Sequence, residues 1–103
     1  MRRFELYGVL WIITTVDPRS SILVDRTGKR TIACTNPSTK TIYISSDIKD
    51  AELLRSVLIH ELTHAAMVST GFVEGIGSVD LEERICNFIA DNAENILNLA
   101  DTI

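Results

Sequence analysis

The stretch VLIHELTHAA, residues Val57 to Ala66, guides the interpretation of the rest of the chain. It holds both histidines of the 103-residue protein, His60 and His64, with Glu61 directly after the first. Residues four apart share one face of a helix, so the two rings can direct a nitrogen at one point. Burying these groups without partners among so many apolar neighbours would be costly. The pattern therefore predicts a zinc site on a buried helix rather than polar side chains that decorate a surface.

Glu61 has a separate role in this interpretation. At ~3.6 residues per turn it lies about 100° round the helix from His60, which places its carboxylate beside the metal without forcing it to coordinate. Zinc would lower the pKa of a water molecule, and Glu61 would accept its proton and pass it to the leaving amine.

The segments before this helix are typical of β-strands. The predicted strands are 9–16, ILVD, TIACT (31–35) and TIYIS (41–45), and turns separate them at DPRSS, RTGKR and NPSTK. We predict that the active-site helix begins at a cap among Ser45, Ser46 and Asp47 and runs to Gly71, and that a second helix extends from about Asp80 to the C-terminus. The fold class is thus α+β: an antiparallel sheet of three to four strands packed on the His-Glu-x-x-His helix and a C-terminal helix, in one domain over 1–103.

Composition excludes several functions. The formal net charge of -4 leaves no basic stripe for nucleic acid. Glu5 interrupts the apolar N-terminal run and Asp17 ends it, which favours a buried strand over a signal peptide. The run is also too short to span a membrane. Two cysteines make no disulfide framework, so a cytoplasmic location is expected. We interpret Cys34 as a buried strand residue.

A catalytic zinc takes three protein ligands and keeps one position open. With no third histidine, a carboxylate on the second helix is the economical choice, and Glu82 and Glu83 are the candidates. Glu82 lies near the middle of the apolar helix face, where a carboxylate needs a partner. Glu83 heads a stripe of small residues that would allow close helix packing, although Asp80 and Glu83 also resemble a capping box. Periodicity alone does not decide between the two glutamates.

The motif HELTH, followed by Glu83, Cys86, Asn87, Ile89 and Ala90 at fixed spacing, resembles the gluzincin metallopeptidases. It is most similar to the compact ImmA/IrrE-like and phage-encoded group, whose second helix has roughly the pattern E-x-x-A-N-x-F-A. The similarity covers about residues 31–95.

This resemblance implies that Glu83 is the third zinc ligand and that Asn87 orients a ligand histidine through its other ring nitrogen. Cys86, in place of the family's alanine, is interpreted as packing. The resemblance also suggests that TIYIS is the sheet edge along which a peptide substrate lies, with Tyr43 as a substrate-binding candidate. The alternative for Tyr43 is a half-buried strand tyrosine without such a role.

Three functions are consistent with these residues. The first is a zinc endopeptidase acting on a protein or peptide substrate. The second is a phage or mobile-element binding protein that keeps the metallopeptidase scaffold with little or no catalysis. The third is a subunit whose cleft is completed by a protein partner or another copy in an oligomer.

No histidine remains to stabilise an oxyanion, which leaves Tyr43, Tyr7 or an arginine as side-chain candidates. The C-terminal segment 92–103 is predicted to pack in the core, with an interface or a lid over the cleft as alternatives.

Overall fold

The computed structural model describes residues 1–25 and 27–103 and shows an α+β fold, as the sequence predicts. Within these residues it has four strands and three helices. The strands are β1 (Arg2–Leu6), β2 (Val9–Val16), β3 (Ala33–Asn36) and β4 (Thr41–Ser45), and the helices are α1 (Ala51–Ser69), α2 (Phe72–Ile76) and α3 (Val79–Thr102).

The sheet is mixed rather than antiparallel, which corrects the prediction. Its strand order is β1-β2-β4-β3, with antiparallel pairs at β1–β2 and β3–β4 and a parallel pair at β2–β4. The chain leaves the sheet after β2 and returns as the outer strand β3. It then turns back as β4, which lies between β2 and β3. A meander in chain order would have kept β4 at the edge, whereas this return inserts it at the centre.

The connection between β2 and β3 lacks the strand that the sequence predicted within it. The segment ILVD is not a strand, and a single antiparallel bridge joins Val24 to Arg30. Asp25 organises this loop, since its carboxylate accepts hydrogen bonds from the backbone amides of Thr27 and Lys29. Arg26, the first residue of the predicted RTGKR turn, lies outside the described residues.

The core lies between one face of the sheet and α1. Strand alternation turns every second side chain of the sheet toward the helix. The buried members of this cluster are Trp11, Ala33, Ile42, Ile44 and Ala65. Trp11 is fully buried, and its indole Nε1 donates a hydrogen bond of 2.8 Å to Ser69 Oγ at the end of α1. This bond fixes the C-terminal end of the helix against β2.

Helix α1 begins later than the sequence predicted, and α3 begins slightly earlier. Asp50 caps α1, because its carboxylate accepts from the backbone amides of Glu52 and Leu53. The predicted cap residues Ser45 and Asp47 instead bond to each other. Ser78 caps α3 by accepting from the Leu81 amide. The capping box that was the alternative explanation of Glu83 is therefore absent, and Glu83 lies within the helix.

Helices α1 and α3 pack side by side in opposite directions. His64 contacts Glu82 near one end of the pair, and Arg55 forms an ion pair with Glu94 near the other. Beyond Glu94, α3 extends past the start of α1 and its apolar side chains are exposed, among them Ile96, Leu97, Leu99 and Ile103. The prediction that this segment packs in the core is therefore wrong.

None of the helices within the described residues is long and apolar enough to cross a membrane.

Candidate metal centre

The two histidines lie side by side on α1, at the surface that α1 presents to α3. Their ring centroids are 5.0 Å apart and their planes are inclined by 65°. His64 is buried and His60 is half-buried. The i and i+4 spacing predicted this pairing, and the helix provides it without distortion.

Glu83 of α3 joins the two rings. One carboxylate oxygen lies 2.8 Å from His64 Nε2 and the other 3.2 Å from His60 Nε2. Ligand atoms bound to one tetrahedral zinc at about 2.0–2.2 Å are themselves roughly 3.3 Å apart. The two nitrogen–oxygen distances that Glu83 makes are slightly shorter than this separation.

Glu82 contacts the same centre from the other side. Its carboxylate lies 2.5 Å from His64 Nδ1, and both residues are buried. A carboxylate on the second ring nitrogen fixes the orientation of a ligand histidine and leaves Nε2 for the metal. The two adjacent glutamates are thus both part of the centre, with different contacts.

Cys86 is a further candidate ligand that the sequence analysis assigned to packing alone. Its side chain is fully buried, and one ligand atom from each of His60, His64 and Cys86 can be chosen so that all lie within 4.8 Å of one another. Among the described residues, these three form a cluster that could hold a metal ion. The sequence signal for Cys86 as a ligand was its position one helical turn after Glu82 and Glu83, since residues three and four apart share a helix face.

The donor set fits a divalent cation. Two imidazoles and a thiolate are ligands that zinc prefers, and three carboxylates converge on the rings, from Glu61, Glu82 and Glu83. A positive ion at this point would offset the repulsion among these acidic groups.

Glu61 lies beside the histidines without bridging them. Its Oε2 is 3.8 Å from His60 Nε2, and its Oε1 accepts a hydrogen bond of 2.8 Å from the Thr35 hydroxyl. Burial raises the pKa of the Glu61 carboxyl, and the charge of Glu83 acts in the same direction, although the Thr35 hydrogen bond and His60 oppose them. A carboxyl held this way is suited to exchanging a proton.

Thr35 was not identified from the sequence as a site residue. It lies on β3 two positions after Ala33, on the sheet face that packs against α1, and it anchors Glu61 across 26 residues of chain. The only sequence signal was a hydroxyl at an inward-facing strand position, which is common in many sheets.

Asn87 has different surroundings from those that the resemblance implies, and Tyr43 is a half-buried strand residue on a strand that is not the expected edge. Asn87 is exposed and lines a small pocket of about 220 Å³ that also contacts His60 and Glu61. Glu82, not Asn87, contacts the second nitrogen of His64. Tyr43 is half-buried in β4 and lines the main cleft, but β4 is paired on both sides and is not a sheet edge.

The centre opens into a cleft of about 920 Å³. One wall is β3 with the loop that precedes it, and the other is formed by α1, α2 and the start of α3. Side chains that line it include His60, Glu61, His64 and Glu83. The side of the centre where Glu61 and Glu83 lie is therefore open to the cleft.

Comparison with models of protein families, with curated proteins and with solved structures finds no match to this chain.

Proposed function

We propose that the protein is a zinc-dependent metallopeptidase of the gluzincin type, in which His60, His64 and Glu83 hold the metal. The observation that carries the proposal is the convergence of both Nε2 atoms on the Glu83 carboxylate, with Glu61 beside them. Zinc at this position would supply a Lewis acid that lowers the pKa of water and polarises a peptide carbonyl.

Glu61 would be the general base of this reaction. Its Oε1 is engaged by the Thr35 hydroxyl, which leaves Oε2 directed toward the histidines and the cleft. A raised pKa makes the Glu61 carboxylate a better proton acceptor, and the carboxyl formed in this way can then protonate the leaving amine. Thr35 fixes the side chain in one position during both transfers.

The outer edge of β3 would hold the substrate backbone, in place of the β4 edge suggested by the resemblance. Ser45 donates its amide to the carbonyl of Ile32, and bonded pairs alternate along an antiparallel ladder. The peptide groups of Ala33 and Thr35 consequently face away from β4. An extended peptide added there would run past Thr35, the residue that holds Glu61.

The Glu61→Gln variant tests this function. Metal content would be measured by plasma mass spectrometry on untagged protein, and cleavage would be followed with labelled casein and a quenched mixed-sequence peptide library. Both proteins should carry near-stoichiometric zinc, and cleavage should fall by at least about 100-fold in the variant because the general base is lost. Glu74→Gln, which changes an exposed carboxylate at the same cleft, should leave both values unchanged.

Each alternative result has a definite meaning. Wild-type protein that holds no zinc after reconstitution would overturn the enzyme proposal. Stoichiometric zinc without cleavage in any assay would favour the second function, a binding protein that retains a metallopeptidase scaffold. The exposed apolar side chains at the end of α3, including Leu97 and Leu99, are the observation that favours a protein partner in that case.

A further inference from the structure

Two side chains on α3 approach the histidines from different sides. Glu83 lines the cleft and its side chain is 43% exposed. Cys86 is 0% exposed, and its sulfur belongs to the cluster with His60 and His64 whose ligand atoms lie within 4.8 Å of one another. The metal centre thus has an acidic ligand at its solvent side and a thiol at its buried side.

The helix presents both groups to the same point. Residues three apart on a helix lie one above the other on one face, and α3 packs along α1 at this level, where Glu82 contacts His64. Cys86 has a short side chain in a packed interior, so its sulfur has little freedom to move away. Glu83 has a longer side chain next to open solvent and can rotate into the cleft.

A cysteine at this position has chemistry that packing alone does not use. A thiol binds zinc as the thiolate, at about 2.3 Å, and releases its proton to solvent when the metal binds. Thiolate sulfur is also the softest donor in the cluster and selects zinc over magnesium or calcium.

We propose that Cys86 is a metal ligand of this centre, and that its thiolate and the Glu83 carboxylate are interchangeable at the third protein position. The inference rests on the metal site of the proposed function and assigns it a further ligand. When Glu83 turns toward the cleft, His60, His64 and Cys86 retain the metal. The loss of Glu83 alone therefore leaves three protein ligands, which is the number that holds a catalytic zinc.

Cobalt(II) substitution tests the proposal, because a cobalt–thiolate bond gives an intense sulfur-to-metal charge-transfer band in the near ultraviolet. Absorption spectra would be recorded for wild type, Glu83→Gln, Cys86→Ala and the double variant, with circular dichroism to check folding. Cys34→Ala is the matched control: this half-buried thiol also lines the cleft, but its sulfur donates to the carbonyl of Ile22.

The Glu83→Gln variant should bind cobalt and show a stronger charge-transfer band than wild type, because the thiolate becomes the sole third ligand. Cys86→Ala should keep the weaker visible bands of cobalt and lack the charge-transfer band, and Cys34→Ala should match wild type. The double variant should bind cobalt at least about tenfold more weakly than either single variant, since even an outer-sphere partner contributes that much.

A Glu83→Gln protein that binds cobalt without the charge-transfer band, or that binds none while wild type does, would overturn the role of Cys86. The metal site itself would still stand if the visible bands of wild type disappear in His60→Ala and His64→Ala. Absence of cobalt from wild type would overturn both this inference and the proposed function. If Cys86→Ala fails to fold, comparison of Glu83→Gln with wild type and Cys34→Ala decides the question.

Discussion

Glu82 and Glu83 are neighbours in the chain, yet they contact different atoms of the same histidine. Glu83 lies at His64 Nε2 and Glu82 at Nδ1. Adjacent residues on a helix point about 100° apart, so α3 must lie beside the ring for both to reach it. The arrangement gives one glutamate the position of a ligand and the other the position of a partner that orients the ring.

The Glu82→Gln variant should therefore weaken zinc binding without removing it. The amide can still accept a hydrogen bond from Nδ1 but lacks the negative charge that raises the basicity of the ring. We expect zinc affinity to fall by about 10-fold to 100-fold, measured by competition with a chromophoric chelator. Glu74→Gln is the control, and equal affinity for Glu82→Gln and wild type would contradict the orienting role.

Glu61 should make the metal-free protein less stable at neutral pH than a neutral side chain would. Its pKa in the folded protein is raised, mainly by burial. A group of this kind favours folding below its unfolded pKa and loses that contribution as the pH rises through the folded pKa. Replacing Glu61 by glutamine removes this pH-dependent loss of stability and leaves a side-chain oxygen that can accept the hydrogen bond from Thr35.

We expect metal-free Glu61→Gln to unfold at higher temperature than wild type at pH 7, and the difference to shrink as the pH falls from neutral to the usual glutamate range and to stay constant below it. Thermal unfolding in chelator at several pH values would measure it. A difference that does not change with pH would assign the effect to packing instead of charge.

Among the elements, β2 and α1 are joined by the hydrogen bond from Trp11 to Ser69. Trp11 is the largest fully buried side chain in the sheet, and its indole N–H needs an acceptor in that interior. Ser69 supplies the acceptor from the last residue of α1, on the helix that carries His60 and His64.

Ser69→Ala should lower the free energy of unfolding by about 1–3 kcal/mol, because the indole donor is left buried without an acceptor. Chemical denaturation would measure the change. Ser56→Ala, a half-buried serine of the same helix, is the control and should change stability by less than about 0.5 kcal/mol. If water replaces Ser69 as the acceptor, the two variants will have similar stability.

Local sequence patterns predicted the elements better than their arrangement. The spacing of His60 and His64, the alternation in β4 and the stop at Gly71, whose φ is 77°, all depend on neighbours in the chain and were readable. The central position of β4 depends on where residues 17–32 run, and no local pattern encodes that path. The same limit applies to Thr35, whose contact with Glu61 exists only because β3 lies against α1.

At the scale of the whole molecule, metal binding should stabilise the protein, because the ligands come from two separate helices. Zinc at about 100 times its dissociation constant would add roughly 2.7 kcal/mol. In a chain of this size that corresponds to an increase in Tm of about 10–20 °C. Scanning calorimetry with and without zinc would measure the increase. His64→Ala should abolish it, and an equal increase in that variant would indicate binding elsewhere.

The contact between His64 and Glu82 spans only 18 residues of chain, whereas the parallel pairing of β2 with β4 joins Ile12 to Thr41. Closing a short loop costs less chain entropy than closing a long one. The ligand helices can therefore meet before the sheet is complete. A cation held by side chains of both helices would reinforce this short-range contact, so we expect chelation to weaken the pairing of α1 with α3 more than the pairing of the strands.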